Sequence, residues 1–378
     1  MKIAILIPVI RGFSGGILTY LNAIIPRIQL YTEVTKLSIV VPQIFAKDFC
    51  HLEVDIHTVS PFDYLFGFRG MGKFVSSNSF DIALSLTARK INNITCPIVT
   101  MAQNVEPFHK PSYPTPFFYK LRLTLLKKEY TIACQQASFI IAVSNYMKTV
   151  LRQSIEIPDG KVEVIYNGYD ANDHRKPKKP NHPIPELFFF SSGSFSWYRG
   201  FEDIVQATAV IKSKHGKAPI IAISGQNSYG VYAYKKKLDK LIKSMDVVEN
   251  ILWLGQLDQN EMTWCYQNSI AFIQTSRVES FSNTQVEAMG ISKLCISSDY
   301  PLMKEIFKNN AIFYSAGDYR TLAQAMIFAS GNSSKKDSTK KKKMNDRALK
   351  YSWDVTADKT LKLLRSAILS NNGNTSVT

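Results

Sequence analysis

The chain has 378 residues, 45% hydrophobic and 20% charged, enough apolar material for two or three cored domains and too much for a disordered or fibrous chain. A formal net charge of +16 implies attraction to polyanions, whether nucleic acid, an anionic membrane surface or a phosphorylated substrate. The five cysteines, Cys50, Cys96, Cys134, Cys265 and Cys295, form no CxxC pair and have no histidine at zinc spacing, so they read as reduced core thiols of a cytosolic protein.

The first eight residues, apolar but for Lys2, are too short for a signal peptide, and the glycine-rich turn that follows them is not a small-residue cleavage site. They read as a first strand at 3–7. The turn Gly12-Phe13-Ser14-Gly15-Gly16 then leads into a helix over 17–29 that Pro26 is expected to kink. Gly15 and Gly16 let the backbone approach a ligand, but neither a full G-x-G-x-x-G nor a P-loop is present. Strands are expected at 37–41, 55–59, 81–86 and 98–101. A long helix at 119–136, a strand at 139–143, a helix capped by Ser144 or Asn145 and a strand at 162–165 follow. Strands alternating with helices imply a parallel, doubly wound sheet.

From 172 to 185 the composition shifts to His, Arg, Lys, Asn and four prolines, which marks a linker. The alternation then restarts, with strands at 187–190, 219–223, 251–254, 270–273, 294–297 and 311–313 separated by helices, the last at 318–329. The segment 331–345, with Lys340 to Lys343 in a row, is expected to be exposed and mobile. A helix after Trp353 puts Leu361, Leu364 and Ile368 on one face. The expected domains are 1–170 and 186–352, a linker at 171–185, a terminal helix at 353–370 and a disordered tail at 371–378. The fold class is α/β: two Rossmann-like doubly wound domains facing across a cleft, with ligands beyond the carboxyl ends of the strands. No apolar run approaches a bilayer's thickness, so any membrane contact is peripheral. Basic and apolar residues recurring from Phe117 to Lys128 suit an anionic membrane surface, an ordinary amphipathic helix being the alternative. No nucleic-acid-binding motif is visible.

The stretch around which the chain is organised runs from Arg277 to Gly290. A buried strand enters it, and Ser282 with Gln285 three residues on reads as a capping box opening a short helix that Gly290 ends. Glu279 lies just beyond the strand. Glu287 sits a turn into the helix on the face of Asn283, with seven residues between the two carboxylates. A helix N-terminus suits a phosphate or diphosphate, while the flanking carboxylates can accept bonds from sugar hydroxyls. A nucleotide-sugar has that layout, and the competing reading is an ordinary surface helix.

Glu279-Ser280-Phe281 with Glu287-Ala288-Met289 resembles the E-x7-E signature of family-4 retaining glycosyltransferases of the GT-B fold, similar to bacterial lipopolysaccharide and capsule glycosyltransferases. Tyr166 to Asp170 resembles the family's inter-domain segment, and Gly193 to Gly200 its donor loop. The resemblance implies that Arg199 grips the donor diphosphate, that Gly15, Gly16, Ser282, Asn283 and Glu287 bind the nucleotide, and that Glu279 orients the sugar. Gln103 stands where the family often has His. It cannot act as a base, but it can bond the sugar. The family's earlier loop Arg is here Ser194, with Arg277 as a candidate replacement. With no Asp-x-Asp in the chain, no metal site is expected. No cofactor is expected beyond a UDP- or GDP-sugar donor. The implied activity is hexose transfer with retention to a lipid-linked or surface-polysaccharide acceptor, in the cytoplasm at the inner face of the membrane and without nucleic acid. The alternative is a non-catalytic scaffold of the same fold.

Overall fold

The computed structural model describes residues 1–10, 15–109, 117–170, 176–225, 232–292, 294–332 and 338–375. The chain divides into two compact units, Met1–Gly168 with Ser352–Thr378, and Tyr169–Tyr351.

The first unit is built on seven strands, β1 (Lys2–Leu6), β2 (Lys36–Pro42), β3 (Asp55–Val59), β4 (Ile82–Ser85), β5 (Ile98–Ala102), β6 (Phe139–Ala142) and β7 (Val162–Val164). All pair in parallel, in the order β3-β2-β1-β4-β5-β6-β7. Central strands of a parallel sheet are covered on both faces, and that is why β1, β4 and β5 read as nearly continuous apolar runs. Ile3, Ala4, Ile5 and Leu6 are fully buried. The connections include α1 (Gly15–Gln29), α2 (Arg69–Ser77), α3 (Phe117–Gln136) and α4 (Asn145–Ser154). Helix α1 continues through Pro26 to Gln29. Ser144 caps α4, its Oγ accepting from the Met147 N–H at 3.0 Å.

Helix α2 is absent from the sequence reading, and two glycines in nine residues explain why. Its first turn is satisfied from a distance. Asp63 is buried, and its carboxylate accepts from the N–H groups of Gly70 at 2.7 Å and Met71 at 3.1 Å. The second unit holds six parallel strands, β8 (Phe188–Ser192), β9 (Ile220–Ser224), β10 (Ile251–Gly255), β11 (Phe272–Gln274), β12 (Cys295–Ser298) and β13 (Ile312–Tyr314). Their order is β10-β9-β8-β11-β12-β13. Its helices are α5 (Phe201–His215), α6 (Tyr232–Ser244), α7 (Gln259–Asn268), α8 (Asn283–Ile291), α9 (Pro301–Phe307), α10 (Tyr319–Asn332) and α11 (Ser338–Ala348).

Helix α11 corrects the expectation of a mobile lysine-rich segment. Met344 and Ala348, four residues apart and fully buried, give it an anchoring stripe, and Arg347 donates to the carbonyls of Ile306 and Glu305 at 2.9 Å each. Lys341, Lys342 and Lys343 project into solvent; residues 333–337 of that segment lie outside the described residues. The last helix, α12 (Trp353–Thr375), belongs to the first unit and runs past Asn371, where order was expected to end. It packs on α1, with Arg27 Nε donating to Asp354 at 2.6 Å and Trp353 meeting Tyr20 edge-on. Leu361 and Leu364 are fully buried and Ile368 half-buried. Among the described residues no helix is long and apolar enough to cross a membrane.

Replacing Asp63 by Ala should strip the first turn of α2 of its acceptor and cost about 1–2 kcal/mol. Thermal unfolding should show this as a fall of roughly 2–8 °C in the first unit's transition. An unchanged transition would mean that α2 holds without this cap.

Candidate active site

The second sheet reverses its strand order between β8 and β11, with β9 and β10 on one side and β12 and β13 on the other. Loops leaving the carboxyl ends at such a reversal diverge and leave a crevice. The loop after β8 carries Arg199 in a short 3-10 turn, Trp197–Arg199, and the loop after β11 carries Glu279. The two loops are stitched together. Thr275 Oγ1 donates to the Arg199 carbonyl at 2.6 Å, and the Arg277 N–H donates to the Tyr198 carbonyl at 2.7 Å. Gly200 closes the turn at φ +68°, and a Cβ there would lie 2.6 Å from the Thr275 carbonyl oxygen, so both its conformation and its neighbour require glycine.

This stitching brings Arg199 Nη1 into an ion pair with Glu279 Oε1. Ser276 Oγ lies 3.3 Å from each, accepting from the guanidinium and donating to the carboxylate. The side chains are only 17% and 12% exposed. Burial therefore raises the Glu279 carboxyl above its ordinary 4.5, outweighing the lowering effects of Arg199 and Ser276. Arg199 Nε is buried with no hydrogen-bond partner. The guanidinium lies against bare backbone, since a Cβ on Gly193 would sit 3.1 Å from its Cζ and Nε.

Arg277 does not replace the charge missing at Ser194. Its Nη1 donates to Glu202 at 3.0 Å and its Nη2 to Asp203 at 2.5 Å, both in the first turn of α5. Asp203 also accepts from the Tyr314 hydroxyl at 3.2 Å and the Gly317 N–H at 3.1 Å, and Glu202 from the Tyr234 hydroxyl. Ser194 itself bonds Ser196, with their oxygens 3.3 Å apart.

Helix α8 starts where the sequence implies but without the capping box. Ser282 makes no cap bond and instead has its Oγ 3.0 Å from Thr284 Oγ1 and 3.5 Å from Gln274 Nε2. Gln285 is fully buried with its amide on the Met303 sulfur, so it cannot reach back. A true capping box opens α7, between Asp258 and Glu261. Nor does Gly290 end the helix, which continues to Ile291. A Cβ at Gly290 would lie 2.6 Å from the Tyr169 ring, so the glycine serves close packing. Asn283 and Glu287 stand a turn apart on α8, both half-exposed.

The other residues singled out from the sequence belong to the first unit. Gly15 and Gly16 begin α1, and Gln103 follows β5, where its amide donates to the Leu86 carbonyl at 3.2 Å. Sequence reasoning missed Ser276 and the Glu202–Asp203 pair. Two acids at the start of a helix were the available signal. Among the described residues, no three His, Cys, Asp or Glu side chains cluster as metal ligands would.

Two family models match consecutive stretches, Glycosyltransferase Family 4 over residues 74–173 and Glycosyl transferases group 1 over residues 172–348. The chain belongs to the glycosyltransferases that these models describe. It is 22% identical over 224 residues to the O-antigen chain mannosyltransferase RfbU of Salmonella typhimurium strain LT2, covering 59% of this chain and 58% of that protein. The match thus spans little more than half of the relative's length. A glycosyltransferase of Rickettsia africae superposes with a TM-score of 0.74 at 17% identity, covering 97% of this chain and 99% of the other. Anabaena HepE in complex with UDP-glucose superposes with a TM-score of 0.73 at 16% identity, covering 97% and 100%. These glycosyltransferase neighbours carry the same GT-B fold of two parallel-sheet α/β domains.

Truncating Asp203 to Ala should cost about 3 kcal/mol, because it strands Arg277 without its innermost partner; a denaturant titration of the second unit measures it. Glu279→Gln tests the carboxyl's burial. A raised carboxyl contributes stability below its ordinary value of 4.5 that is lost as pH rises through the higher folded value. The stability of the natural chain relative to the Gln variant should therefore fall as pH rises above the ordinary value of 4.5. A difference that stays level or rises with pH would refute the assignment.

Proposed function

We propose that the chain is a retaining hexosyltransferase that moves a hexose from a UDP- or GDP-sugar to a lipid-linked or cell-surface polysaccharide acceptor. The observation that carries the reading is the buried Arg199–Glu279 pair at the strand-order reversal, with Asn283 and Glu287 on the helix that follows. A guanidinium beside a helix N-terminus suits a diphosphate. Glu279 then faces the sugar and Glu287 the ribose. RfbU's name as an O-antigen mannosyltransferase supports a polysaccharide acceptor, and HepE's complex with UDP-glucose supports a nucleotide-sugar donor.

In the proposed reaction the bond from the anomeric carbon to the diphosphate breaks as the bond to the acceptor oxygen forms on the same face. The acceptor's proton passes to the departing phosphate oxygen, so no protein base is needed, and Gln103 is not asked to be one. Arg199 and the backbone N–H groups stabilise the charge on the leaving nucleoside diphosphate, and the transfer is taken to be metal-independent. The site of action is the cytoplasmic face of the membrane, with the protein held peripherally. A scaffold without activity is the second reading. It gains from Arg277, whose engagement with Glu202 and Asp203 leaves Ser194 without the cation the family supplies.

Thermal stabilisation by UDP, GDP and their sugars is the test. A ligand at about a hundred times its dissociation constant adds roughly 2.7 kcal/mol, and one nucleotide should do so in the natural chain and less in Glu287→Ala. Transfer in the presence of a membrane extract should give a product with the donor's anomeric configuration by NMR. Stabilisation without turnover would favour the scaffold, and no stabilisation by any nucleotide would remove the donor site altogether.

A further inference from the structure

The loop that leaves β3, residues 60–68, holds three large apolar side chains in water. Phe62 is 62% exposed, Leu65 63% and Phe66 64%. Ile44, in the turn after the neighbouring strand β2, is 59% exposed. Because the sheet is parallel, both turns emerge at the same edge, the carboxyl end at which open α/β sheets bind their ligands. Gly15 and Gln103 follow β1 and β5 at that edge too.

This exposure is built in. Asp63 lies inside the loop with its carboxylate tied to Gly70 and Met71. The Asn92 amide donates to the Phe66 carbonyl at 3.0 Å, its backbone N–H to the Gly67 carbonyl at 2.9 Å, and the Phe68 N–H to the Asp63 carbonyl at 3.0 Å. A loop so held cannot fold its side chains back onto the body, so they remain available to a partner. The charges nearby select one. Asp63, the only acid from 60 to 73, is buried, while Arg69 and Lys73 are exposed a turn apart on α2. In the same unit, the early turns of α3 expose Lys120, Leu121, Arg122 and Leu125. Aromatic and leucine side chains flanked by cations, with the loop's own acid buried, fit the interfacial layer of an anionic bilayer. On a chain of net charge +16, attraction to that surface is general.

We infer that Phe62, Leu65 and Phe66 form a wedge that inserts into an anionic lipid bilayer, with Arg69 and Lys73 on the headgroups. The wedge brings the ligand-binding edge of the first unit to the membrane plane. In giving the acceptor's lipid a place, the inference rests on the proposed function; the insertion itself does not.

The test is co-sedimentation of the full chain with vesicles of 30% phosphatidylglycerol in phosphatidylcholine and of phosphatidylcholine alone, mole fractions of about this order giving a surface that attracts basic segments. The natural chain should bind the anionic vesicles and lose binding as salt rises. The triple variant Phe62→Ser, Leu65→Ser, Phe66→Ser should bind at least about tenfold more weakly, in keeping with the loss of three inserted apolar side chains. In a Phe66→Trp variant the added indole emission should shift to the blue with anionic vesicles and be quenched by brominated lipid. Equal binding by the triple variant, or an indole that stays in water, overturns the inference. So does a triple variant that changes only the oligomeric state on size exclusion, which would make the patch an interface between copies. Nucleotide-induced stabilisation, measured on the triple variant, separates the two readings. If it persists while vesicle binding is lost, the variant is folded and the wedge stands. If no nucleotide stabilises even the natural chain but the indole inserts, the transferase reading fails and the wedge survives.

Discussion

The guanidinium of Arg277, held between Glu202 and Asp203, is the contact on which the candidate site depends. Asp203 is 1% exposed and Arg277 21%, so neither charge is well solvated, and removal of either leaves the other uncompensated. Burial pushes the Asp203 carboxyl up while Arg277 pulls it down, and burial is the larger effect. The remaining acceptor capacity of Asp203 is filled by Tyr314 and Gly317, so a carboxylate that is costly to bury accepts from three donors, Arg277 included. Four pieces of chain that are distant in sequence meet there: the first turn of α5, the loop after β11, the end of β13 and, through Glu202 and Tyr234, helix α6. With these fixed, the Tyr198 carbonyl meets the Arg277 N–H and Arg199 meets Glu279. The Arg199–Glu279 pair is thus positioned by the contacts that Arg277 makes.

How much of this is legible in the sequence depends on how far apart the interacting residues are. The strands are legible because central parallel strands bury both faces and need no partner to be named; residues 98–101 were expected and Ile98–Ala102 is found, buried throughout. Helix α2 is not legible, because Gly70 and Gly72 lower its propensity and its cap, Asp63, lies seven residues before the N–H group of Gly70. The same distance effect produced the opposite error at α8. Ser282 and Gln285 have the spacing of a capping box, but spacing cannot tell that Gln285 turns inward to Met303. At α11 the run from Lys340 to Lys343 dominates the composition, and the two residues that anchor the helix, Met344 and Ala348, come after it. For the site, Glu279, Glu287 and Arg199 stand out as local motifs. That Arg277 is spoken for is not local at all: its partners precede it by more than seventy residues.

That engagement bears on the proposed chemistry. With Ser194 bonded to Ser196 and Arg277 held by two acids, Arg199 is the cation these two loops have to offer, and it is paired with Glu279. A diphosphate entering the site would compete with that carboxylate for the same guanidinium. Arg199 need not choose, because its Nη1 serves Glu279 and a planar guanidinium can hold different acceptors on different edges. A lysine in its place would have one ammonium to divide between them. The family's lysine at this position works beside an arginine supplied earlier in the loop. Here the earlier residue is a serine, and arginine stands where the lysine would be. On the proposed reading the two departures are linked: with one cation of these loops left for a diphosphate, a forked side chain can hold two acceptors at once.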